Sequence, residues 1–88
     1  MASADKIRAR IREIGNRQRN VTLGDIEWVM SQLEQFAQVT LMTNVHTHQW
    51  TIDGVPFNVC IHHKGSKQLK APYVKSFLNA MIDTGWYD

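Results

Sequence analysis

The chain has 88 residues, 43% apolar and 20% charged, with a net charge of +2. That is enough for one small domain with a modest core. No apolar run approaches the roughly 20 residues of a membrane span. The basic opening lacks the apolar centre of a signal peptide, and the single cysteine, Cys60, excludes an internal disulfide, so a reducing, cytoplasmic setting is expected.

Ser3 can cap a first helix in which Ile7, Ile11 and Ile14 recur at helical spacing, with Arg8 and Arg12 on a different face. Gly15-Asn16 is a stop signal, and Arg17 to Val21 reads as a polar link. Thr22 opens a second helix, expected over 22–36. Asp25, three residues on, offers the reciprocal half of a capping box. Ile26, Val29, Met30, Leu33 and Phe36 form its apolar stripe.

Residues 37–43 alternate and are rich in β-formers, which predicts a first strand with Val39 and Leu41 inward. Asn44-Val45 is a short turn. The next strand, 46–52, carries His46, His48, Trp50 and Ile52 on one face. Asp53-Gly54 is a strong two-residue hairpin signal, and a third strand follows over 55–62. That turn sets Ile52 against Val55, Trp50 against Phe57 and His48 against Val59. Cys60 then falls on the face opposite His48. Lys64 to Lys70 reads as a basic loop, and Pro72 suits the first turn of a last helix. Its stripe is Val74, Phe77, Leu78, Met81 and Ile82, with Gly85 as its stop. Trp86-Tyr87 can fold back on that end.

The order helix, helix, strand, strand, strand, helix predicts an α+β domain. Its three-stranded antiparallel sheet, in sequential order, carries helices on one face. The simplest topology is a double-stranded-RNA-binding-like α-β-β-β-α core over 22–88. Residues 1–21 add an N-terminal helix and link, and the whole chain forms a single domain.

Charge is segregated along the chain. Residues 1–20 hold six basic and two acidic groups, 21–53 hold four acidic and no basic groups, and 54–88 hold four basic and two acidic groups. If the fold joins the two basic ends, Lys64, Lys67 and Lys70 with Arg8 and Arg12 form a phosphate-binding surface near His48. A merely solvated charged surface is the alternative.

Three stretches carry a resemblance to a known family. The first is the opening from Lys6-Ile7-Arg8 to Asn20-Val21-Thr22-Leu23-Gly24-Asp25-Ile26. The second is Val45-His46-Thr47-His48-Gln49-Trp50. The third pairs Ile61-His62-His63-Lys64 with Ala71-Pro72-Tyr73-Val74-Lys75-Ser76-Phe77-Leu78. Together they resemble the HicA toxins, small messenger-RNA interferases of type II toxin–antitoxin pairs. His46-Thr47 stands where that family has Gly-Ser before its histidine. The resemblance implies a double-stranded-RNA-binding-like fold, a catalytic histidine at His48, no metal or other cofactor, RNA as substrate and a HicB-like antitoxin as protein partner.

Taken by itself, His48 suits proton transfer at neutral pH, and His46 or Thr47 could orient the imidazole or share its role. Lysines and arginines could stabilise the charge of a phosphorane. A packed rim histidine is the structural alternative. Zinc held by His46 and His48 with His62, His63 or Cys60 is a third reading, although no paired Cys-x-x-Cys spacing is present. The fourth is a non-catalytic module that binds RNA by shape and phosphate contacts, or binds a protein. If the helices cover Trp50 and Ile52, His46 and His48 are expected at an open mouth between sheet and helix.

Overall fold

The computed structural model of the protein describes residues 2–60 and 68–87. The elements are α1 (Ala4–Asn16), a 3₁₀ turn (Gln18–Asn20), α2 (Leu23–Leu33), β1 (Val39–Thr43), β2 (Thr47–Ile52), β3 (Val55–Cys60) and α3 (Ala71–Asp83). The strands form one antiparallel sheet in the order β1-β2-β3. The protein is therefore α+β, with a helical addition ahead of an α-β-β-β-α order. Among the described residues no helix is long and apolar enough to cross a membrane.

Local chemistry explains most boundaries. Ser3 caps α1 by accepting from the Lys6 N–H at 3.3 Å. At α2 the capping box is complete: the Thr22 hydroxyl accepts from the Asp25 N–H at 3.2 Å, and the Asp25 carboxylate accepts from the Thr22 N–H at 2.9 Å. Pro72 occupies the first turn of α3, where its missing N–H costs nothing. Beyond α3, Gly85 adopts φ 84°, and the N–H groups of Trp86 and Tyr87 donate back to the Met81 carbonyl. The C-terminal aromatics thus do fold back, and Trp86 packs 5.8 Å from Phe36.

The hairpin register is the one its turn dictates. Asp53 (φ 47°) and Gly54 (φ 83°) both take the left-handed conformation that a type I′ turn requires. Ile52 faces Val55, Trp50 faces Phe57 and His48 faces Val59. On the other side Val39 faces Ile52, Leu41 faces Trp50 and Thr43 faces His48. The face carrying Trp50, Ile52, Phe57 and Val59 is buried beneath the helices. The opposite face, with Thr40, Met42, Gln49, Pro56 and Asn58, is exposed.

One core joins Ile7, Ile11 and Ile14 of α1, the stripe of α2, the inner residues of β2 and β3, and Val74, Phe77, Leu78 and Met81 of α3. The amino-terminal helix is thereby docked, with its three isoleucines fully buried. It runs antiparallel to α2: the Ala2 N–H donates to Gln32, and Arg10 lies over Trp28. The segment before α3 returns to the start of α2, where the Leu69 N–H donates to the Val21 carbonyl at 2.7 Å.

Three expectations about the core are corrected. The second helix ends at Leu33, so Phe36 lies beyond it and is 50% exposed. Leu41 lies on the helix-bearing face, but at the sheet edge it stays 46% exposed. Ile82 falls on the outer side of the last turn of α3 and is also largely exposed. The third strand is described over Val55–Cys60, and residues 61 and 62, the rest of its expected span, lie outside the described residues.

Candidate functional site

His48 is the second residue of β2 and lies on the helix-bearing face, flanked by Thr43 on β1 and Val59 on β3. Its position is set by the hairpin: four residues before Ile52, it is on the same face and farther from the turn. Trp50 and Ile52 are buried, whereas His48 is half-buried. The helices therefore cover the turn-proximal part of this face and leave the histidine at the rim of the core.

The imidazole is the outermost ring of an aromatic row. His48 lies 5.5 Å from Trp50, Trp50 stacks 5.7 Å from Phe57, and Phe57 meets the edge of Phe77 at 5.6 Å. Such contacts fix the plane of the imidazole through rings that are themselves locked in the core. Of its two nitrogens, Nδ1 is buried and has no hydrogen-bond partner among the described residues. That leaves Nε2 as the nitrogen a ligand could reach.

The two residues expected to assist His48 do not stand beside it on the sheet. The strand begins at Thr47, one residue later than expected, so His46 is in the exposed connection before it rather than on the strand face. Thr47 is on the strand, but alternation turns it to the other side. There it pairs with Cys60 and lines an open cleft with Met42, Gln49, Asn58 and Tyr73. Thr47 therefore cannot orient the His48 ring. Cys60 lies on that same side, and a hydrogen bond with it, followed by burial, raises the Tyr73 phenol above its ordinary value. This contact sets the beginning of α3 against the end of β3.

The basic residues expected near His48 do not share one place. Lys64 and Lys67 lie outside the described residues, as do His62 and His63. Lys70 is exposed and immediately precedes α3, at the same end of the domain as Tyr73, Cys60 and His48. Arg8, expected near His48, sits at the opposite end. Its guanidinium lies 4.7 Å from the Trp86 ring and donates to the Gly85 carbonyl at 2.8 Å. The reason is geometric. Helix α3 runs from Tyr73 beside Cys60 to Asp83 beside Val55, so Gly85 and Trp86, just past its C-terminus, lie at the hairpin-turn end. Arg12 is exposed on α1.

Arg17 is engaged as well. It pairs with Glu13 and with Asp25, each at 3.2 Å, and hydrogen-bonds the Asn20 carbonyl. Burial by itself would raise the Asp25 carboxyl, but hydrogen bonds from Arg17 and Thr22 outweigh it and hold the group below its ordinary range. These contacts fix the link between the first two helices, a role that sequence spacing did not reveal. Among the described residues no group of three His, Cys, Asp or Glu side chains is placed to hold a metal ion.

Comparison with family models, with curated proteins and with solved structures finds no match for this chain.

Proposed function

We propose that this chain is the toxin component of a toxin–antitoxin pair, a cytoplasmic, metal-independent endoribonuclease with a double-stranded-RNA-binding-like fold. In this reading His48 is its acid–base residue. The observation that carries the proposal is the placement of His48: a ring held by packing against Trp50, on a strand, at the rim of the core rather than within it. An acid–base group needs that combination of fixed orientation and access. The resemblance to HicA toxins in the stretches around His48 and Tyr73 supports it, and it suggests a HicB-like antitoxin as the protein partner.

The chemistry is attack of the 2′-hydroxyl oxygen on the adjacent phosphorus, a transesterification. His48 Nε2 takes the hydroxyl proton as the oxygen–phosphorus bond forms. The bond to the 5′-oxygen breaks, and that oxygen takes a proton from an acid. The products are a 2′,3′-cyclic phosphate and a free 5′-hydroxyl. His46, in the exposed connection two residues away, is the secondary candidate for the acid. Lys70, with Lys64 and Lys67 of the preceding segment and Arg12, is assigned to the phosphates.

A second reading is a non-catalytic module of the same fold that binds RNA or protein. The Nδ1, unpartnered among the described residues, favours it, because acid–base histidines generally have one nitrogen held by a hydrogen bond while the other works. One experiment separates the two. RNA is incubated with the wild type and with His48→Ala, each in excess chelator. The catalytic reading expects cleavage by the wild type and a loss of about 10²–10⁴-fold in the variant. Equal cleavage by both, or by neither, leaves only the binding module.

A further inference from the structure

Strand β1 is one edge of the sheet, paired on one side only with β2, and its composition is unusual for an edge. Exposed edges are normally blunted by charge, proline or a bulge, because their unpaired backbone groups recruit other strands. Between Gln35 and Ile52 there is no Asp, Glu, Lys, Arg or Pro. Three of the five large exposed apolar side chains in the described residues, Leu41, Met42 and Val45, lie on this strand or directly after it, at 46%, 69% and 82% exposure.

The register defines which backbone groups are available. The Asn44 N–H donates to the Thr47 carbonyl, and the Asp53 N–H donates to the Gln38 carbonyl. Alternate residues between them, Thr40 and Met42, therefore also turn their N–H and C=O groups toward β2. Val39, Leu41 and Thr43 turn theirs outward, and none has a partner among the described residues.

We propose that β1 pairs with β1 of a second copy of this chain, antiparallel about a two-fold axis at Leu41, joining two sheets into one. Leu41 is the midpoint of the strand, so this register gives the fullest overlap. It makes Leu41 with Leu41′, Val39 with Thr43′ and Thr43 with Val39′ hydrogen-bonded pairs, each exchanging both backbone bonds. It also places Met42 beside Thr40′ and Val45 beside Ala37′, so all three exposed apolar residues gain a neighbour. An isologous contact requires a segment compatible with its own reverse. This strand meets that requirement because no like charges oppose one another. It also carries no charge that would select a different, oppositely charged partner. The proposal does not depend on whether the protein cleaves RNA.

The test is sedimentation of the full chain over a range of concentrations, with the wild type and Leu41→Lys, supported by circular dichroism. The wild type should move from the mass of one chain toward two as concentration rises. Leu41→Lys should weaken dimerisation by about tenfold or more, because it removes the central apolar pair and opposes two ammonium groups. A wild type that stays monomeric, or a dimer that survives Leu41→Lys, overturns the proposal. Should Leu41→Lys fail to fold, oxidative cross-linking decides. Leu41→Cys should form a disulfide-linked dimer, since a hydrogen-bonded pair has its Cα atoms about 5.5 Å apart. Thr43→Cys, whose copies lie far apart in this register, should link no more than the wild type with its Cys60. Equal linking by both variants overturns the register.

Discussion

The His48 imidazole packs 5.5 Å from the Trp50 indole while its Nδ1 is buried without a hydrogen-bond partner among the described residues. The contact favours an aromatic ring here, and the orphaned nitrogen opposes this particular one. His48→Phe keeps the ring and removes the unpaired atom. We predict that it raises stability by about 1 kcal/mol, within the cost range of an unsatisfied buried polar group. His48→Ala removes both features, so its stability should change by less than about 1 kcal/mol in either direction. Chemical denaturation of the three proteins checks this. A marked loss of stability in His48→Phe means that Nδ1 has a partner in solution. If His48 is the acid–base residue, both variants should lose RNA cleavage to a similar degree.

The hairpin turn supplies a second prediction. Gly54 sits at φ 83° with open space where a Cβ would be. A substitution there meets no clash, and its whole cost is conformational. Gly54→Ala should therefore destabilise by about 1–2 kcal/mol. Asp53→Asn should be close to neutral for the turn conformation, since Asn tolerates the left-handed region as well as Asp does. Thermal melts of the two variants give the comparison, and equal losses would show that the turn is not type I′ in solution.

That turn also explains why part of the fold can be read directly from sequence. A two-residue Asp-Gly connection permits one register, so the pairing of His48 with Val59 is fixed once the turn is recognised. Thr22 and Asp25 likewise define a helix start through groups three residues apart. The features that local reasoning misses depend on long-range packing. The burial of Leu41 depends on how far the helices extend over the β1 edge, and they leave it 46% exposed. The fates of Arg8 and Arg10 depend on tryptophans distant in sequence, Trp86 and Trp28. At the site, strand alternation is enough to put Thr47 and His48 on opposite faces. A supporting role for Thr47 beside the imidazole conflicts with that alternation.

The Arg8 contacts yield a prediction that distinguishes structure from recognition. Stacking on Trp86 and a hydrogen bond to the Gly85 carbonyl tie α1 to the C-terminal turn. Arg8→Ala should lower stability by about 1 kcal/mol. Because Arg8 lies at the opposite end of the domain from His48, the variant should leave the salt dependence of RNA binding unchanged. Lys70→Ala should do the reverse: little effect on melting, and a salt slope shallower by about one ion if Lys70 contacts a phosphate. Titrations of RNA binding at several salt concentrations test both. A changed slope for Arg8→Ala, with none for Lys70→Ala, would move the phosphate surface to the other end of the domain.

The final prediction concerns acid stability and the link between α1 and α2. Asp25 accepts from the Thr22 backbone and pairs with Arg17, which also holds Glu13 and the Asn20 carbonyl. Burial pushes the Asp25 carboxyl upward, but these hydrogen bonds prevail and its folded value lies below the ordinary one. A depressed carboxyl binds its proton less readily in the folded state than in the unfolded state. Its stabilising contribution is therefore complete above the unfolded value, near 3.8, and is lost as pH falls through the lower folded value. Denaturation midpoints should hold from neutral pH to about 5 and then decline. Asp25→Asn should be less stable at neutral pH, because it gives up the charged partner of Arg17, and its acid decline should be shallower. Arg17→Met should flatten the same limb while leaving the capping box intact. Thr22→Ala should cost about 1 kcal/mol, the usual loss on removing an N-cap. An acid limb equally steep in the wild type and Asp25→Asn would place the responsible carboxylate elsewhere and reduce Asp25 to a capping residue alone.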